Sequence, residues 1–116
     1  MRRRVLKLLE DVCGAADSIQ GYTAGKTETD YLMNKQLRRS CEREFEIIGE
    51  ALRRLDSEFP ALAGKITDAR KIIDFRNVLA HGYDAVSDDQ VWVIVTAYLP
   101  SLIADARNLI AEESRE

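Results

Sequence analysis

The sequence predicts an all-α fold: an antiparallel bundle of four to five helices, the last of them kinked. Three observations carry this. Apolar residues recur at intervals of three and four through four long segments, the spacing that gathers them on one face of a helix. β-branched clusters with closely spaced turn signals are missing, while Glu, Arg, Leu and Ala are abundant. The connectors between segments are short and polar, which makes successive helices antiparallel neighbours.

The first helix is expected from Arg2 to Gln20, where Val5, Leu8, Leu9, Val12, Ala15, Ala16 and Ile19 form one stripe opposite charged residues. Gly21 and Gly25 bracket Tyr22-Thr23-Ala24 and stop it. Thr27 to Asp30 supply capping side chains, and a short turn of helix begins at Tyr31. A longer helix over Asn34 to Glu58 carries the row Leu37, Cys41, Phe45, Ile48, Leu52 and Leu55, widened by Ile47 and Ala51. Lys35, Arg38, Arg39, Arg43, Arg53 and Arg54 make it the most basic segment. These cations read either as a solvated face paired to Glu42, Glu46, Glu50 and Glu58, or as a set in which some arginines hold phosphates. Gly49 inside this helix costs roughly 1 kcal/mol against alanine, which the close approach of another helix would explain.

Phe59-Pro60 breaks the pattern, and Leu62 to Lys65 form a connector. The third long helix runs from about Ile66 to His81-Gly82, with Ala69, Ile72, Ile73 and Leu79 as core positions. Gly82 suits the left-handed position just past a helix end. Ser87-Asp88-Asp89-Gln90 has the form of a capping box that opens the last helix. Its stripe is Val91, Val95, Tyr98, Leu102, Ala106 and Leu109, and Pro100 kinks or splits it.

The 116 residues are read as one domain over 1–116. Lys and Arg number 17 against 20 Asp and Glu, a net charge of −3, so nucleic-acid binding has to rest on local basic patches. Cys13 and Cys41 lie on apolar helix faces and read as two buried thiols rather than a disulfide. One histidine and no close cysteine pair argue against a zinc site, and neither metal nor cofactor is expected. No apolar run approaches the roughly 20 residues of a membrane span. The basic start Met1-Arg2-Arg3-Arg4 is followed by apolar residues broken by Lys7, Glu10 and Asp11, unlike a secretory signal. A cytoplasmic protein without a membrane partner is the expectation.

The chemistry is expected in Arg76-Asn77-Val78-Leu79-Ala80-His81-Gly82-Tyr83, which holds the one histidine of the chain. Asn77 and His81 are four apart and share a helix face. Arg76 and His81 are five apart, about 140° out of phase on an ideal helix. They converge only if the helix loosens near its end or if two chains meet. Carbonyl dipoles at a helix C-terminus favour a protonated imidazole. A guanidinium holds phosphate with paired donors, an imidazole moves protons near neutral pH, and RNA brings its own nucleophile in the 2′-hydroxyl. The spacing alone also fits a histidine capping helix carbonyls and an arginine in an ion pair.

Arg76-x4-His81-x-Tyr83, preceded by Glu42-Arg43-Glu44-Phe45-Glu46-Ile47-Ile48-Gly49-Glu50-Ala51-Leu52, resembles the HepT family of the HEPN superfamily. Val91-Trp92 and Leu99-Pro100-Ser101-Leu102 fall where that family has a Trp-containing helix start and a Leu-Pro step, so the match spans nearly the whole chain. The stretch from Ala61 to Asp74 departs from the pattern in lacking a Pro-Trp pair. The resemblance implies a HEPN-like helical bundle that forms a homodimer and serves as the toxin of a toxin–antitoxin pair. The partner it implies is an MntA-type nucleotidyltransferase. It also implies metal-independent endoribonuclease activity carried by Arg76 and His81, with Asn77 in support, and AMPylation of Tyr83 by the partner.

Two other functions fit the same residues. In one, the chain is a non-catalytic HEPN subunit whose cleft binds a nucleotide or RNA and serves a nucleotidyltransferase in substrate recognition. In the other it is a structural, dimerising bundle. The modest charge favours these two; the Arg-His-Tyr set favours the ribonuclease.

Overall fold

The computed structural model describes residues 2–81 and 88–115, with side chains for all of these except 76–81, 88 and 89. Among the described residues the regular secondary structure is all helical, with no strand. Helix α1 spans Arg2–Thr23, α2 Glu28–Met33, α3 Lys35–Glu58, α4 Pro60–Ala63 and α5 Ala69–His81. The last helix is composite: α6 over Asp88–Val93, a π-helical turn over Ile94–Tyr98, and α7 over Leu99–Glu113.

Helix α3 is the central member. It packs on α1 and α5, and α1 in turn packs on α7. Side-chain pairs give the directions. Arg4 of α1 meets Glu58 at one end of α3 (2.9 Å), and Tyr22 meets Glu44 nearer the other (2.9 Å). Arg70 approaches Asp56 (3.9 Å) while Phe75 lies on Phe45, so α5 also runs antiparallel to α3. Arg107 pairs with Asp17 (2.8 Å) and Lys65 with Glu112 (3.8 Å), which sets α7 antiparallel to α1. The expected antiparallel bundle of four long helices is therefore present, with α2 and α4 as short additions.

The apolar stripes fill the core. Every predicted stripe residue of α1 is buried, and so is the predicted row Leu37, Cys41, Phe45, Ile48, Leu52 and Leu55 of α3, with Gly49 buried beside it. Phe45 makes an edge-on contact with Phe75, ring centroids 5.3 Å apart at 80°. Tyr31, on a helix of only six residues, is 0% exposed and packs its ring on Trp92 at 5.5 Å. Cys13 and Cys41 are both buried and unpaired, as expected from the sequence.

Several boundaries differ from those expected. Helix α1 continues through Gly21 to Thr23, whose hydroxyl donates to the Ile19 carbonyl (2.8 Å); Gly25, at φ 72°, makes the turn instead. Helix α2 starts at Glu28 rather than Tyr31, because Thr27 and Asp30 form a reciprocal capping box. The expected connector after Pro60 is the short helix α4, with Pro60 in its first turn, where a missing N–H costs nothing. Helix α5 begins at Ala69, not Ile66, since the Thr67 N–H is taken by the Asp105 carboxylate (2.9 Å) and Asp68 adopts φ 60°. Glu58, expected to pair along α3, reaches Arg4 instead.

Pro100 acts through its neighbours. In a regular helix its ring would clash with the carbonyl of Thr96. The π-helical turn resets the register, the Leu99 N–H donating to the Ile94 carbonyl, so Pro100 falls in the first turn of α7. The Thr96 hydroxyl donates to the Trp92 carbonyl (3.0 Å) within the same turn. The helical stretch Gln90–Glu113 is long and apolar enough to cross a membrane by length and composition. Its row Val91, Val95, Leu99, Leu102, Ala106 and Leu109 is buried against the bundle, and Asp105 and Arg107 tie it to the Ala63–Ala69 connection and to α1. The Ser87 capping box and the Gly82 helix end lie outside the described residues.

Two outcomes are expected from this packing. Phe45→Ala removes an aromatic contact from the junction of α3 and α5 and should lower unfolding free energy by about 3–5 kcal/mol in chemical denaturation. Burial pushes the Cys13 thiol up and the Cys41 thiol up to about 11, so neither should react with iodoacetamide at neutral pH until the chain unfolds. Intact mass after labelling, with and without denaturant, reads this directly.

Candidate functional site

The site is built on α5, and three described contacts set how that helix enters it. The capture of Thr67 by Asp105 fixes the chain before the helix to α7. At Asp68 the left-handed backbone, tolerated by a short polar side chain, turns the chain into α5. Lys71 then lies over the ring of Tyr98 at 5.3 Å from its centroid, and its ammonium sits 3.6 Å from Asp68. Asp68 first, then Tyr98, holds the Lys71 pKa above the usual lysine range. Tyr98, expected in the buried stripe, is half-buried beneath this cation.

Ile72, Ile73 and Phe75 form the inward arc of α5, while Arg70, Lys71 and Asp74 face out. Arg70 bridges Asp56 (3.9 Å) and Asp74 (3.4 Å). The helix then continues without a break through His81. At about 100° per residue, the backbone position of Arg76 continues the inward arc, and those of Asn77 and His81 continue the phase of Arg70 and Asp74. The α-helical backbone thus keeps the phase difference of about 140° between Arg76 and His81 up to the end of α5. Tyr83 lies outside the described residues.

The antiparallel run of α5 carries His81 toward the end of the bundle where α1 terminates, α3 begins and α6 starts. The basic face of α3 leads to the same end. Most of its charge is engaged within the helix: Arg39 with Glu42 (3.0 Å), Arg43 with Glu46 (3.5 Å), Arg53 with Glu50 (2.7 Å) and Arg54 with Glu50 (2.9 Å). Arg38 turns to the carbonyls of Leu32 and Tyr31. The arginines therefore form the paired, solvated face that their spacing allowed. Among the described residues no group of three or more His, Cys, Asp and Glu gathers as a metal-ligand set.

The sequence reading missed Phe75 as the aromatic anchor of this helix and Lys71–Tyr98 as its link to the last one. Phe75 follows Ile72 at helical spacing and was open to detection by periodicity. Nothing in one dimension pairs residue 71 with residue 98.

Comparison with known proteins adds the chemistry. The chain matches the family described as “Ribonuclease HepT-like” over residues 12–109. It is 31% identical over 102 residues to a candidate ribonuclease HepT of Thermococcus cleftensis, covering 88% of this chain and 92% of that protein. It is 30% identical over 112 residues to a gamma-glutamylcyclotransferase and candidate RNase of Methanocaldococcus jannaschii, covering 97% of this chain and 50% of that protein. The chain thus spans about half the length of that archaeal relative. A candidate RNase of Caldanaerobacter subterraneus is 26% identical over 105 residues, covering 90% of this chain and 93% of that one. No solved structure matches.

Proposed function

Because the chain belongs to the HepT-like ribonuclease family, we propose that it is a metal-independent endoribonuclease. In this reading it is the cytoplasmic toxin of a toxin–antitoxin pair and works as a two-fold homodimer. Its antitoxin is an MntA-type nucleotidyltransferase. Arg76 and His81 are the reactive pair, with Asn77 and Tyr83 in support. One observation supports the dimer: the backbone of α5 is α-helical through His81, which leaves positions 76 and 81 about 140° out of phase within one chain. A second copy, related by a two-fold axis, would bring two motifs to one groove and let each chain supply what the other lacks.

The reaction needs few groups. The 2′-oxygen of RNA bonds to the adjacent phosphorus as the bond from phosphorus to the 5′-oxygen breaks. His81 takes the proton from the 2′-hydroxyl, and an imidazolium returns one to the departing 5′-oxygen. Arg76 pairs with the non-bridging oxygens, where negative charge grows in the transition state. The substrate supplies the nucleophile, so no metal-bound hydroxide is called for. Control by the partner would transfer AMP from ATP to the Tyr83 phenol, releasing pyrophosphate. The added phosphodiester anion would then compete with RNA for Arg76.

The paired state of the α3 arginines favours one other reading, a non-catalytic HEPN subunit that binds RNA or a nucleotide for a nucleotidyltransferase. Cleavage assays separate the two.

His81→Ala and Arg76→Ala should each lower cleavage of RNA about 10²-fold or more while leaving thermal unfolding unchanged. Chelator should leave the wild-type rate unaltered. Cleavage that persists without His81, or appears only with added divalent ions, overturns the assignment. Sedimentation equilibrium at micromolar concentration should give the mass of two chains, and a monomer removes the shared-groove mechanism. Co-expression with the cognate nucleotidyltransferase should add adenylyl mass to Tyr83. An unmodified chain, or adduct on Tyr22, Tyr31 or Tyr98, refutes that step.

A further inference from the structure

Two cavities flank the C-terminal end of α1, each of about 360 Å³, and both are lined by Lys26. That size falls in the range of small-ligand clefts, roughly 300–1,000 Å³. In the first, Gln20, Thr23 and Lys26 face Trp92, Thr96 and Pro100 across the gap between α1 and the last helix. In the second, Lys26 shares the wall with Asn34, Gln36 and Ser40 at the start of α3.

The chemistry of the two is complementary. Lys26 is exposed and, among the described residues, makes no salt bridge within 4 Å, in contrast to the arginines of α3; its charge acts on the nearby Asp30 carboxylate, which is already held by Thr27. An exposed ammonium outside any salt bridge, at the junction of two clefts, is a point charge for an anion shared between them. Trp92 is held in place on the ring of Tyr31 and lines the first cleft, giving a fixed aromatic surface. Its wall continues into the π-helical turn Ile94–Tyr98, a local distortion that recurs at functional sites. The exposed amide of Gln36 and the hydroxyl of Ser40 give the second cleft donors and acceptors for a sugar or a base edge. Both clefts lie at the end of the bundle toward which α5 carries His81.

We propose that this pair of clefts is a binding subsite for single-stranded RNA flanking the cleaved bond, with Trp92 stacking one base and Lys26 holding the phosphodiester between that nucleotide and the next. A cation beside an aromatic platform is the arrangement that binds single strands with little sequence preference. The subsite rests on the ribonuclease reading above for its ligand, and its test does not require cleavage.

Trp92 is the one tryptophan of the chain, so its emission reports the first cleft directly. The full chain is titrated with a short single-stranded 2′-O-methyl oligoribonucleotide, whose blocked hydroxyl cannot act as nucleophile. The expected result is saturable quenching of Trp92. Lys26→Ala should weaken binding about five-fold and flatten the dependence of log affinity on log salt by about 0.7, the loss of one phosphate contact on a single strand. Trp92→Leu should weaken binding by a similar factor, measured by anisotropy of a labelled oligonucleotide, and Trp92→Phe should restore most of it. Lys26 is exposed, so its variant keeps the test decisive even if the tryptophan variants unfold. Binding without quenching, affinity and salt slope unchanged by Lys26→Ala, or no binding at all overturns the subsite. Quenching that depends on Lys26 in a chain that cleaves no RNA keeps the subsite and removes the ribonuclease reading. Cleavage with KM and binding indifferent to Lys26 does the reverse.

Discussion

The apolar row of α3 is the constraint on which the rest of the molecule depends. Leu37, Cys41, Phe45, Ile48, Leu52 and Leu55 recur at three- and four-residue steps and are all buried, so the helix has one register in which they can be covered. Helices α1 and α5 both pack on it. The contact of Phe45 with Phe75 locates α5 along α3, and with it the level at which Arg76 and His81 follow. A slip of one helical turn, about 5.4 Å, would bury the wrong residues and displace the motif from the end of the bundle.

Charge is arranged around this core in two different ways. Along α3 the arginines meet glutamates three or four residues away, solvent-screened pairs that contribute little to stability but neutralise the face. At the end of the bundle where α1 stops and α3 starts, Lys26 and Lys35 make no salt bridge among the described residues. With a net charge of −3, the molecule can attract a polyanion only where such cations are left uncompensated. The exposed carboxylates that are held by donors work in a defined pH range. Arg4 beside Glu58, and the Thr27 N–H on Asp30, hold these two carboxyls below the usual carboxylate range. A lowered folded-state pKa means that their contribution is complete above that range and is lost as pH falls through the folded value.

The last helix joins the core to the site. A proline in a long helix removes a donor and clashes one turn back. Here the π-helical turn absorbs the defect, so Val91 and Val95 before it and Leu99 and Leu102 after it are all buried. The same turn lines the cleft beside Trp92 through Thr96, and its Tyr98 receives Lys71 of α5. One local adjustment to Pro100 therefore serves core packing, the link to the motif helix and the cleft wall.

The fold class and the four long stripes were legible in the sequence, because a periodicity of 3.6 residues is a local property that burial amplifies. Arg76, His81 and the stretch that holds them stood out by residue type and spacing, the roles given to Asn77 and Tyr83 came from the family resemblance, and the chain as a whole belongs to the HepT-like ribonuclease family. The helix starts were less legible. That α2 begins at Glu28 and α5 at Ala69 depends on a reciprocal cap and on a carboxylate from 38 residues away, neither of which periodicity registers. Tyr31 was read only as the start of a short helical turn and is fully buried, because the packing of α2 against α6 gives it Trp92 as a neighbour. The sequence by itself determined which residues turn inward on α1 and α3, since that follows from side-chain phase along a regular helix, whereas the π-helical turn moved the buried position of the last helix from Tyr98 to Leu99. Which helix ends meet, and hence that Lys26 and Trp92 share a cleft and Lys71 covers Tyr98, was decided by tertiary structure alone, because those contacts join residues far apart in the chain through the register of a common core.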